Sequence, residues 1–106
     1  MTTTTDRRLQ SAIERIIQKL DPDRIVLFGS RARGDMRDDS DYDLLIILPQ
    51  VRDRWRETAS LYRELRDLPI AKDLVLMSRA DAAQGGRLGS VGRVALREGI
   101  VVYERG

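Results

Sequence analysis

The chain has 106 residues and a mass of 12.1 kDa, with 42% hydrophobic and 34% charged residues, which predicts one soluble domain, 1–106, around one core. It has no Cys and no His, which excludes disulfides, thiolate and imidazole nucleophiles and His/Cys zinc sites, and leaves carboxylates, hydroxyls and bases as the reactive groups. The net charge is only +2, no apolar run nears the roughly 18 residues of a membrane span, and the polar start lacks a signal-peptide core, so a cytoplasmic protein with no membrane contact is expected.

Leu9, Ile13, Ile16, Ile17 and Leu20 recur at helical spacing, with Thr5 or Asp6 as the N-cap and Asp21-Pro22 as the stop. Residues 24–28 are apolar and β-branched and end at Gly29-Ser30, which reads as a strand. Residues 31–40 are polar and predict a short helical turn and a loop. Residues 42–48 form a second strand, closed by Pro49. Residues 52–67 predict a charged amphipathic helix with Trp55, Ala59, Tyr62 and Leu65 on one face, as core or as partner surface.

Residues 70–77 predict a third strand, and 78–84 a short helix opened by Ser78. Residues 85–89 are a glycine-rich loop. Residues 90–98 predict a helix capped by Ser90, with Gly99 just past its end, and 100–104 a last strand. Helices between apolar strands give an α/β or α+β domain with one sheet. The bases are 17 arginines against Lys19 and Lys72, with residues 51–106 carrying net +3. No basic run exceeds two residues, so direct nucleic-acid binding is not expected.

The chemistry concentrates in two stretches. Gly29-Ser30 follows the first strand, and Asp41-Tyr42-Asp43 opens the second after a ten-residue spacer. Asp41 and Asp43 are two apart at a strand start, so their side chains project from one face. Adjacent carboxylates repel unless a cation lies between them, and carboxylates suit magnesium or manganese. Asp73 enters an otherwise apolar strand; if that strand lies beside the second, three carboxylates can hold two metals about 4 Å apart. A glycine after a strand admits close backbone approach, and a helical turn beginning at Ser30 favours a phosphate, with Arg31 and Arg33 adding charge. The two halves answer opposite ends of a metal-chelated nucleoside triphosphate.

This pattern resembles the signature of the DNA polymerase β-type nucleotidyltransferase superfamily. The stretch from Gly29 to Gly34, with Ser40-Asp41-Tyr42-Asp43-Leu44-Leu45, is closest to its minimal nucleotidyltransferase branch, and the ending from Leu96 to Glu104 is similar too. The resemblance implies a mixed sheet of about four strands flanked by helices. It implies phosphate binding by Gly29 and Ser30, two Mg2+ ions (or Mn2+) on Asp41 and Asp43, and the catalytic one shared with Asp73. It further implies an antitoxin that moves AMP from ATP onto a tyrosine of a partner HEPN-domain ribonuclease toxin, with Asp73 helping to deprotonate the hydroxyl.

Rival motifs fail on spacing. A calcium loop from Asp35 would place Ser40 and Ile46 where Gly and Glu are needed; one from Asp39 would place Leu44 and Gln50 there. A P-loop from Gly29 would need Lys-Ser/Thr where Asp35-Met36 stand. The expected site takes up most of a fold this small, so the acceptor is expected on another molecule. Two further readings remain: a binding protein that neutralises its partner by occlusion, and a subunit that nucleotidylates a small molecule or an RNA end.

Overall fold

The computed structural model describes residues 6–34, 40–86 and 91–106. Helix α1, Arg7–Leu20, is capped by Asp6, whose carboxylate accepts the Arg8 and Leu9 N–H groups; Thr5 lies outside the described residues. The helix ends at Asp21, in the left-handed region at φ 46°, before Pro22. Strand β1 is Arg24–Phe28 and the short helix α2 is Ser30–Arg33. Strand β2 is Tyr42–Leu48, α3 Arg54–Glu64, β3 Lys72–Ser78, α4 Arg79–Ala83, α5 Val91–Glu98 and β4 Ile100–Glu104.

The elements follow the sequence expectation with three differences. Helix α3 starts two residues late and ends three early, at Glu64; at its start the Asp53 carboxylate caps Arg56 N–H while Glu57 Oε2 accepts the Arg52 and Asp53 N–H groups. Strand β3 begins at Lys72, after the turn in which Ile70 N–H bonds Leu68 O. Gly99 stands just past the helix end as expected, but its φ is not positive; a Cβ there would lie 2.4 Å from Val26 Cγ1 and 2.5 Å from Ala95 O. Close approach of α5 to β1 demands that glycine. The expected cap Ser90 and residues 87–89 lie outside the described residues.

The sheet order is β3-β2-β1-β4, with β1 antiparallel to both β2 and β4, and β2 parallel to β3 through the α3 crossover. The run Leu44–Leu48 is apolar without alternation because β2 is central and both its faces are covered. On one face Leu9, Ile13 and Ile16 of α1 and Leu61 and Leu65 at α3 pack on Ile25, Leu44, Ile46, Leu74 and Leu76. On the other, Ala95 of α5 packs with Val26, Phe28, Leu45, Ile47 and Met77. Among the described residues, no helix is long and apolar enough to cross a membrane.

Candidate active site

The parallel register of β2 and β3 decides the site. Asp43 and Asp73 are direct Cα partners, and Asp43 is also the partner of Phe28 across β1. Both carboxylates therefore leave the sheet at the same level, on the face that carries Leu45, Met77 and Phe28. The chain end of β1 brings Gly29 there as well. Gly29 has φ 76°, and a Cβ on it would stand 2.1 Å from Asp43 Oδ2, so only glycine lets the backbone lie against this carboxylate. Ser30 then opens α2.

Charge at this end of the sheet is unbalanced. The Asp43 carboxyl is pushed above its ordinary range, first by burial, then by the charges of Asp73 and Asp41, with Arg33 opposing. Asp41 stands exposed one residue ahead of β2, within electrostatic reach. Among the described residues, no group of three His, Cys, Asp or Glu side chains is disposed to hold a metal ion as the side chains stand. The donor set nonetheless suits a hard divalent cation: carboxylate oxygens alone, crowded, and carrying more negative charge than Arg33 offsets.

The two arginines of α2 part company. Arg33 lines a cleft beside Gly29, within electrostatic reach of Asp43. Arg31, expected beside it at the phosphate, goes to the other face: its guanidinium lies 3.8 Å from the Tyr42 ring centroid, and Nε and Nη2 donate to Ser40 O at 3.1 and 2.9 Å. Tyr42 is buried and donates to Asp6 Oδ2 at 2.6 Å. Arg31 thus ties α2 to the start of β2 and to α1, which fixes where Asp41 and Asp43 begin. The side-chain alternation of β2 sends Tyr42 and Asp43 to opposite faces, and Arg31 follows Tyr42.

Two contributors were not assigned to the site from sequence. Tyr62, on α3, donates its hydroxyl to Asp73 Oδ1 at 3.3 Å and accepts Leu74 N–H at 2.9 Å. Burial raises its pKa, the Leu74 N–H opposes this, and Asp73 raises it further. Periodicity placed Tyr62 on an apolar helix face, as core or partner surface; the signal that it reaches Asp73 lies in the register. The second is a cleft of about 190 Å3 beside Gly29, walled by Phe28 and Arg33 on one side and Val91, Val94 and Glu98 of α5 on the other.

Comparison with known proteins agrees with this geometry. The family model "Polymerase beta, Nucleotidyltransferase" matches residues 11–106, and the chain belongs to that family. No curated protein matches it. Among solved structures it is similar to one described as a putative nucleotidyltransferase from Sulfolobus solfataricus, at 18% identity and a TM-score of 0.67, over 93% of this chain and 79% of that one. The sheet and its flanking helices are thus a polymerase β-type nucleotidyltransferase fold, and general nucleotidyl transfer is the activity that the family supports.

Proposed function

We propose that the chain transfers AMP from ATP, bound with Mg2+, to a hydroxyl of a partner protein, and that it acts as the antitoxin of a HEPN-domain ribonuclease. The observation that carries the reading is the side-by-side register of Asp43 and Asp73 with Gly29 against Asp43. The partner assignment rests on the resemblance of the Gly29-Ser30 and Asp41-Tyr42-Asp43 stretches to the minimal nucleotidyltransferase branch.

In this reading Asp41, Asp43 and Asp73 hold the cations, which when bound neutralise the triphosphate and its leaving group. Gly29 and Ser30 seat the phosphates, and Arg33 adds charge. The acceptor oxygen attacks the α-phosphorus in line. The new O–P bond forms as the bond to the bridging oxygen breaks, and pyrophosphate leaves. Asp73 takes the hydroxyl proton on the oxygen that Tyr62 does not hold, Oδ2. Positioning and electrostatics supply the rate, and the proton acceptor contributes roughly 10²–10⁴-fold of it.

The test is incubation with α-labelled ATP, Mg2+ and the product of the neighbouring gene. Label on that partner, absent with Asp43→Asn, is the expected result; an unlabelled partner overturns the reading. The exposed Trp55, 88% accessible, favours one alternative, neutralisation by occlusion. If neutralisation survives alanine at Asp41, Asp43 and Asp73 together, occlusion replaces transfer.

A further inference from the structure

Helix α3 divides its apolar residues between two faces. Leu61 is fully buried in the core, as is Leu65 just past the helix end. Trp55, Thr58, Ala59 and Tyr62, at positions i, i+3, i+4 and i+7, form a second stripe that faces outward. They line a groove of about 490 Å3 with Arg54 at its rim. Trp55, the only tryptophan in the chain, is 88% exposed on it. A tryptophan is the residue type most enriched at the anchor points of protein interfaces.

Tyr62 joins this groove to two other features. Its hydroxyl holds Asp73, and its ring also lines a depression of about 410 Å3 formed with Arg63, Arg66, Ile70 and Lys72. Lys72 is steadied by the Leu68 and Ile70 carbonyls at 3.5 and 3.2 Å. An apolar groove, the carboxylate of Asp73 and a basic depression therefore all border Tyr62.

We propose that this track docks the acceptor as a protein segment, with an apolar side chain against Trp55, the hydroxyl beside Tyr62 and Asp73, and a carboxylate against Arg63, Arg66 and Lys72. The proposal rests on the transfer reading above and names the acceptor chemistry it requires. Charge complementarity selects the occupant. Three bases border one depression and attract Asp or Glu, while the groove beside it, lined by Trp55, Thr58, Ala59 and Tyr62, is apolar and suits a side chain better than a continuous phosphate backbone, which disfavours RNA. Spacing sets the segment. Seven helical residues separate Trp55 from Tyr62, about 10 Å along the axis, which an extended occupant spans in about three residues.

The lone tryptophan supplies a binding signal that needs no catalysis. Three peptides with one central tyrosine serve as probes: one with Leu three residues to one side and Glu three to the other, one with Lys for the Glu, and one with Ser for the Leu. Each is made in both orders. The Leu/Glu peptide should quench or shift Trp55 emission with a Kd at least tenfold lower than the other two. The double variant Arg63→Glu, Arg66→Glu should reverse the preference toward Lys, and Trp55→Ala should raise KM for labelling of the Leu/Glu peptide more than it lowers kcat. No emission change, equal response to all three peptides, or tighter response to a uridylate 20-mer overturns the docking proposal. Selective binding without label transfer leaves the docking standing and sinks the transfer reading. Transfer to a partner that Trp55→Ala does not slow does the reverse.

Discussion

The two ends of the sheet treat their carboxylates in opposite ways. Where β1 begins and β3 ends, Asp23 receives Arg79 Nε at 2.6 Å and Arg79 Nη2 at 3.0 Å, and pairs with Arg105 as well. Hydrogen bonding to Arg79 holds its carboxyl below the usual range, against some burial. Where β1 ends and β2 and β3 begin, Asp43 meets Asp73 and Asp41, and its carboxyl is held above the usual range. One end satisfies its charges within the chain and stabilises the fold. The other accumulates like charge around Gly29, an arrangement that weakens the apoprotein and that the proposed metal-chelated triphosphate would relieve.

The largest effect should come from the crowded end. Asp43→Asn or Asp73→Asn should lower the transfer rate by about 10³-fold or more while circular dichroism stays unchanged, since each removes a carboxylate that the transfer reading assigns to the cations. Gly29→Ala comes next. Its Cβ would collide with Asp43 Oδ2 and its φ of 76° disfavours a side chain, so a loss of about 1–3 kcal/mol in urea unfolding should accompany loss of activity. A Gly29→Ala enzyme with normal stability and rate would refute the close approach.

The comparison sharpens in stability. Asp23→Asn should cost about 1–3 kcal/mol and leave transfer unaffected. A depressed carboxyl contributes stability that is present above its unfolded pKa of about 3.9 and lost as pH falls through the lower folded value, so the gap between wild type and Asp23→Asn should close in acid. Asp43 has the opposite sign. Its raised pKa penalises the folded state as pH climbs above the unfolded value. Without divalent ions at neutral pH, Asp43→Asn should therefore raise Tm by about 2–5 °C. Two variants that shift Tm in the same direction would dissolve the contrast. The smallest effect is expected of Tyr62→Phe, a loss of about threefold to tenfold in kcat, with Asp73 less firmly oriented.

Much of this was legible in the chain. Short apolar, β-branched runs bounded by Gly, Pro and charged residues gave the four strands, and the continuous run Leu44–Leu48 suits a strand covered on both faces. Asp41 and Asp43 stood out because paired carboxylates are costly without a cation, and Gly29 and Ser30 because a glycine-serine turn after a strand admits close approach of a phosphate. What the sequence could not carry was register. Nothing in residues 70–77 says that Asp73 stands opposite Asp43, or that Tyr62 comes round the edge of β3 to meet it. Nor does spacing show that Tyr42 takes Arg31 to the far face while Arg33 stays. Gly99 was legible as the residue past a helix end, but not its tight contact with Val26, since a helix ending and a close helix-to-strand approach select the same residue.

The most direct measurement is calorimetric titration of a non-hydrolysable ATP analogue with Mg2+ into the wild type and into Asp43→Asn and Asp73→Asn. The account predicts one binding event in the wild type, at least tenfold weaker in each variant and absent without the cation. Equal affinity in all three proteins would contradict it.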